Sequence, residues 1–322
     1  MKQVVCEEFA PVEELKVIDA PSPEVGPGEI RVKNEAVGVN FPDGLLVQGK
    51  YQARPPRPFT PGIEVAGVVN AVGEGVTNVK VGDRVAAIMP IGGYAEEVVF
   101  PAMIAQPLPD GVPTDDATAL LCAYGTSHHG LKQRANLQAG ESVLVLGAAG
   151  STGIAAIEIA KAMGATVTAV ASTQEKLDIA KAHGADTLIL NDENLAENVK
   201  EAAGKGFDVI YDPIGGDAFD ICVRRLAWNG RYLVVGFAAG RIPELPVNLL
   251  LVKGSCVMGV FWGTFTQKQP KDYIANQQEL FQWYLEGKVK PHIHKVYPMD
   301  NVHDALNDVL QRKVAGKVVL KP

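Results

Sequence analysis

Residues 142–153, SVLVLGAAGSTG, narrow the possible folds more than any other part of the chain. The first five, SVLVL, are mostly β-branched or aliphatic, as a parallel strand covered on both faces requires. Ala148-Ala149-Gly150-Ser151-Thr152-Gly153 follows with small-x-Gly-x-x-Gly spacing, alanine standing where a first glycine is usual. In such a turn Gly150 lets the backbone approach a pyrophosphate and Gly153 lets the next helix pack closely on the strand. The helix N-terminus then presents N–H groups to the anion. Residues 154–163 contain few helix breakers, and Gly164 supplies a stop. Glycine spacing of this kind also serves close packing alone, so its context decides. The pattern repeats at once: strand 166–171, helix 174–183, Gly184, strand 187–190. The strings KAMGAT at 161 and KAHGAD at 181 mark successive helix-to-strand junctions, not a solenoid repeat. This is βαβ punctuation and predicts a doubly wound α/β nucleotide-binding domain.

Further along, FDVIYDPIGG (207–216) reads as a second buried strand ending in a Pro and Gly turn, with a helix to 226. Strands at 230–237 and 255–260 bring the expected sheet to about six strands. After a break at 263–270 come a helix at 272–286, a strand at 294–297, a helix at 302–312 and a strand at 317–320. Residues 1–110 look different: short β-rich runs at 29–39, 65–72 and 84–88 lie between Gly, Pro and Asp clusters, the pattern of barrel-like β architecture. A helix opened by Thr114, Asp115 and Asp116 and running to about 131 leads from one region to the other.

A length of 322 residues suits two domains. With 37 acidic against 30 basic residues the formal charge is −7, which provides no global field for nucleic acid or an anionic membrane. No apolar run is long enough to span a bilayer, and MKQVVCEEF lacks a signal-peptide core, so a cytoplasmic location is expected. Cys6, Cys122, Cys222 and Cys256 form no C-x-x-C pair, and His128 and His129 point in different directions on a helix, so no metal motif is present.

PGIEVAGVVNAVGEGVTNVKVGDRV (61–85), the AAGSTG turn and the terminal AGKVVL (315–320) together resemble the medium-chain dehydrogenase/reductase superfamily. Within it, VNFPDGLLVQGKY (39–51) and GAAGSTG resemble the zinc-free NADPH quinone oxidoreductases, the group that includes zeta-crystallin. The resemblance spans essentially the whole chain. It implies a GroES-like β-barrel catalytic domain from residues 1–123 and 264–322, enclosing a Rossmann NADPH-binding domain at 124–263. The zinc alcohol dehydrogenases of the superfamily carry a Gly-His-Glu string; here Gly62-Ile63-Glu64 has isoleucine, which cannot ligate a metal, and no cysteine sits near Asn40. Without a Lewis acid, alcohol oxidation is disfavoured and hydride delivery to an electron-poor acceptor is favoured.

By positional match, Asn40, Asp43 and Tyr51 line the acceptor pocket. Loop hydrogen bonding is the structural alternative for Asn40 and Asp43. Tyr51 has a proton to give but is a weak acid. Leu45 and Val260 replace a tyrosine and an arginine found in some relatives, which implies a more apolar pocket. The resemblance also places Thr126 near the carboxamide, Ala149, Gly150, Ser151, Thr152 and Gly153 at the pyrophosphate turn, and Phe237, Phe261 and Trp262 around the nicotinamide. Arg312 falls near the adenine end, and Asn191 stands where relatives carry a tyrosine.

The end of the second Rossmann strand bears on cofactor choice. An NAD site places an acid about 20 residues past the glycines; here Ala171-Ser172-Thr173, with Ser172 19 positions after Gly153, contains none. Ser172, Thr173 and Lys176 suit a 2′-phosphate, with Glu175 turned away in a capping box begun by Ser172. Three functions follow as expectations: an NADPH-dependent quinone reductase, a reductase of activated C=C bonds in enones or enoyl thioesters, and a non-catalytic NADPH- or RNA-binding protein. The charge and the lack of a basic aromatic stripe argue against RNA. The apolar strand at 255–260 is expected at the sheet edge, where pairing with a second copy makes a homodimer.

Overall fold

The computed structural model describes every residue from Met1 to Pro322. The chain forms two compact units, Met1–Cys122 with His292–Pro322, and Ala123–Pro291. The first unit is built on Glu29–Val39, a long strand whose alternating residues Ile30, Val32, Asn34 and Ala36 are buried. It pairs antiparallel with Glu64–Val72, Glu97–Pro101 and Lys317–Lys321. Arg84–Ile88 and Gln106–Pro107 extend one side, and Ile293–Pro298 flanks the C-terminal strand in parallel. Register shifts at Arg31/Val32 and Asn34/Ala36 bend the long strand, as bulges do in strongly curved sheets. The tail therefore returns to this unit, as expected.

The second unit is an all-parallel six-stranded sheet. Its order is Thr187–Leu190, Thr166–Ala171, Ser142–Leu146, Phe207–Asp212, Leu226–Val234, Cys256–Gly259. This is the 3-2-1-4-5-6 order of a doubly wound nucleotide fold, and its switch point falls between Ser142–Leu146 and Phe207–Asp212. Val143, Leu144 and Val145 are wholly buried, which explains the uninterrupted apolar run in the sequence. The approach helix is not regular: Thr114–Ala119 and Gly125–His129 are α-helical, while Leu120–Tyr124 and Gly130–Arg134 are π-turns, a distortion that recurs near functional sites.

Several boundaries differ from the sequence reading. Residues 264–291, expected with the barrel, belong to the parallel-sheet unit. The helix Pro270–Leu285 packs on the approach helix through Glu279 to His128 Nε2 (2.7 Å) and Asn276 to Gln133 (2.8 Å), with Leu280 and Phe281 buried. Periodicity foretells such a helix but not which domain it covers. Residues 263–270 are not a simple break, because Trp262–Lys268 is helical. The fifth strand starts earlier than expected, at Leu226, and ends at Val234.

Candidate functional site

In the parallel-sheet unit the tight turn is made by Gly147, one residue before the position where a first glycine was sought. Its φ of 60° is left-handed, and a Cβ there would lie 2.6 Å from Ile214. Gly150 N donates to Gly147 O (2.9 Å), and Gly150 is the N-cap of helix Ser151–Ala162. A Cβ on Gly153 would overlap the Gly147 carbonyl oxygen and lie 2.9 Å from Ala148 Cα, so close packing does require glycine there. At Gly150 the nearest atom would be 3.3 Å away, so that glycine is not demanded by packing. The N–H groups of Ser151, Thr152 and Gly153, in the first turn of the 12-residue helix, have no carbonyl to meet within it. This cradle fits a pyrophosphate.

Sequence reasoning missed what steadies the cradle. Ser127, fully buried, donates to Thr152 O (2.9 Å) and lies 2.8 Å from the Tyr211 hydroxyl. A serine inside an apolar helix face was the available signal. Thr126 beside it is buried on the same helix.

At the end of strand Thr166–Ala171, Ser172 and Thr173 are exposed, and Asn191, whose N donates to Ala171 O (2.8 Å), stands exposed at the end of the neighbouring strand. The helix Gln174–Ala182 is capped by Thr173, whose Oγ1 accepts from Lys176 N (3.3 Å), not by Ser172. The expected box with Glu175 is thereby displaced, since Glu175 is the second helical residue and not the third. Ser172 keeps its hydroxyl for another partner, and Thr173 keeps its hydroxyl hydrogen.

The aromatic residues divide. Phe261 is 60% exposed and Phe237 partly so, but Trp262 is only 5% exposed. The Trp262 ring lies against Gly125, where a Cβ would come within 2.8 Å of it, and edge-on to Tyr273 at 5.8 Å. Trp262 is therefore packed within this unit. Val260 is buried against Gly130.

In the barrel unit Asn40 caps helix Phe41–Val47, and Asp43 closes a capping box by accepting from Asn40 N (2.8 Å). Both side chains are buried. Asp43 Oδ2 also accepts from the Tyr94 hydroxyl (3.0 Å), while Oδ1 is buried with no partner. Burial pushes the Asp43 carboxyl up to about 7, against hydrogen bonds from Asn40 and Tyr94 that pull it down. Asn40 Nδ2 donates to Glu64 Oε1 (2.9 Å), and Lys317 Nζ donates to Asn40 Oδ1 (2.8 Å) and pairs with Glu64. Glu64 Oε2 accepts from Cys122 N (3.2 Å). Glu64, Tyr94 and Lys317 were not singled out in the sequence. Lys317 was detectable, because a lysine in the wholly apolar strand KVVL needs an internal partner.

Tyr51 is half-buried, and burial, followed by the fields of Cys122 and Asp43, raises its phenol above the ordinary value. Leu45 lines a hollow of about 340 Å³ with Phe41 and Leu310 but also Glu13, Lys50 and Asn307, and neither Asn40 nor Tyr51 lines it. Arg312 is exposed in this unit, left-handed (φ 57°) just beyond helix Val302–Leu310. No three His, Cys, Asp or Glu side chains are grouped to hold a metal ion.

Comparison with known proteins agrees with this architecture. Residues 26–110 match the alcohol dehydrogenase GroES-like domain, and residues 151–279 match the zinc-binding dehydrogenase family. A quinone oxidoreductase-like protein 2 homolog of Nematostella vectensis is 39% identical over 99% of this chain and 88% of its own length. The chain belongs to the quinone oxidoreductase family of the medium-chain dehydrogenase/reductase superfamily. Two solved structures cover all of it. A probable oxidoreductase from Mycobacterium abscessus is 40% identical with a TM-score of 0.90, 99% of that chain being covered. The Escherichia coli quinone oxidoreductase, solved in complex with NADPH, is 26% identical with a TM-score of 0.91 and is covered completely. Membership in this family accounts for the GroES-like unit and the Rossmann sheet together.

Proposed function

We propose that this protein is an NADPH-dependent reductase that delivers hydride to a quinone or a similar electrophile without a metal ion. As a member of its family it is an oxidoreductase, and the relative from Escherichia coli is an NADPH complex. The observation that carries the cofactor reading is the exposed pair Ser172 and Thr173 at the end of the second strand, where no carboxylate stands to bind a ribose diol or to repel a 2′-phosphate. Both hydroxyls can donate to that phosphate, and Lys176, one turn on, adds a cation. Ala149 and Gly150 admit the pyrophosphate to the N–H groups of Ser151, Thr152 and Gly153. Thr126, Asn191, Phe237, Phe261 and Arg312 remain as further contacts under this reading.

NADPH supplies the hydride. Asn40 and Tyr51 orient the acceptor and hydrogen-bond its oxygen as charge develops there. The raised phenol of Tyr51 keeps its proton at neutral pH and releases it reluctantly, so water completes the protonation. Leu45, in the place of a tyrosine, offers the acceptor no hydroxyl, which leaves an enone or enoyl thioester equally compatible. NADPH oxidation measured side by side with quinones, 2-enones and enoyl-CoA esters distinguishes these acceptors. Fastest turnover of quinones is expected. Exclusive turnover of enones or enoyl thioesters assigns the C=C reaction instead, and tight NADPH binding without any turnover assigns a binding role.

The functional form is a homodimer. Cys256–Gly259 ends the sheet with one edge paired to Leu226–Val234 and the other open. Trp228, Val247, Leu251 and Val252 of the same unit are large, apolar and more than half exposed. Light scattering should return twice the chain mass; a monomer at micromolar concentration refutes it. No helix is long and apolar enough to cross a membrane.

A further inference from the structure

The densest buried charge in the barrel unit is a closed ring of three side chains from distant parts of the sequence. Lys317 is 1% and Glu64 0% exposed at their side chains, and Asn40 lies between them, bonded to both. The ring has been given room: a Cβ on Gly38 would overlap the Glu64 carboxylate. A buried ion pair offers little net stability over apolar side chains of the same volume, so the ring calls for another role. Donor and acceptor types supply one. An ammonium only donates and a carboxylate only accepts. The Asn40 amide satisfies both in a single orientation, with Oδ1 toward Lys317 and Nδ2 toward Glu64. Its second Nδ2 hydrogen has no role in the ring, and cationic contact at Oδ1 polarises the amide and strengthens that hydrogen as a donor.

We propose that Lys317 and Glu64 are positioning residues that lock and polarise the Asn40 amide, so that its second N–H receives the oxygen of the acceptor. The proposal rests on the reductase reading. When NADPH is bound, its nicotinamide C4–H bond would break and the hydride would form an O–H bond at one quinone oxygen, moving an electron pair onto the other oxygen. One solvent proton then gives the hydroquinone, and NADP⁺ is the other product. The locked N–H stabilises the oxygen during that step and takes no part in the proton balance.

The test is a double-mutant cycle on the full-length protein with 1,4-benzoquinone. Asn40→Ala and Lys317→Met are each expected to lower kcat by about tenfold or more, with the NADPH dissociation constant unchanged. The double variant should be no slower than Asn40→Ala, because Lys317 acts through Asn40. Full kcat in Lys317→Met, or losses that multiply in the double variant, overturn the proposal. Glu64→Gln, which keeps the volume, replaces Lys317→Met if that variant does not fold. A second readout does not depend on turnover: the Asn40 side-chain amide resonance, identified by its absence in Asn40→Ala. The hydrogen donated to Glu64 should exchange with solvent slowly in the wild type and faster in Glu64→Gln. Unchanged exchange overturns the lock, whereas slow exchange in a protein that turns over no acceptor overturns only the reductase reading.

Discussion

Gly150 and Gly153 sit three positions apart in one turn, yet the structure assigns them different work, and alanine at each separates the two. At Gly153 an added methyl meets only backbone, the Gly147 carbonyl and Ala148, neither of which can rotate aside. Overpacking of this kind costs about 1–3 kcal/mol, and in a domain of this size each kcal/mol lowers the melting midpoint by about 2–4 °C. Gly153→Ala should therefore melt several degrees lower and also bind NADPH less well, because the helix start moves with the turn. At Gly150 the nearest atom to a methyl is the same Gly147 carbonyl oxygen, but at 3.3 Å, so a backbone shift of only a few tenths of an ångström relieves the contact. Gly150→Ala should melt within about 1 °C of the wild type, the shift expected for a few tenths of a kcal/mol. Under the proposed cofactor reading its methyl stands where the pyrophosphate would approach, and NADPH affinity should fall about tenfold, or about 1.4 kcal/mol. Thermal melts of the two variants without cofactor, paired with fluorescence titration of NADPH, measure both quantities. Equal melting losses, or full NADPH affinity in Gly150→Ala, would refute the division of roles.

The remaining expectations concern charge and protons. Lys176→Ala should weaken NADPH binding by about 1.5–3 kcal/mol, as for a charge-assisted hydrogen bond, and leave NADH nearly unaffected; equal changes for the two cofactors remove Lys176 from the phosphate site. Tyr51→Phe should lower turnover partially at constant NADPH affinity, whereas complete loss would make the phenol an obligatory acid. Asp43 carries a sign that can be checked by denaturation. Its carboxyl is raised from 3.8 to about 7 on folding, so the native state holds a proton that the unfolded state releases. The stability this contributes is present below about pH 4 and is lost as pH rises through about 7. Asp212, also raised by burial, acts in the same direction, so the informative quantity is the difference between proteins: urea denaturation of Asp43→Asn from pH 4 to 8 should fall less steeply than the wild type.

Much of the nucleotide unit was legible because its signals are local. Thr166–Ala171 and Thr187–Leu190 are bounded by the same Gly-Ala punctuation, and the structure places both strands at the expected residues. Gly147 was overlooked because the spacing was anchored on Ala148, although a left-handed turn needs glycine directly after the strand. Other features depend on tertiary contact. Nothing near Asn40 announces that Lys317, 277 positions away, will bond its amide. The helix Pro270–Leu285 has a clear apolar face, but only packing against His128 and Gln133 assigns it to the second unit. The packing of the Trp262 ring against Gly125 depends on tertiary contact in the same way.

Hydride transfer from NADPH to an electrophile with no metal ion can be measured by steady-state turnover of a quinone in chelator-treated, metal-analysed protein with NADPH and NADH in parallel. Undiminished turnover after chelation is expected, with a kcat/KM for NADPH at least about tenfold above that for NADH, the ratio equivalent to about 1.4 kcal/mol of phosphate recognition. Activity that disappears with the metal and returns with zinc, or a preference for NADH, would contradict it.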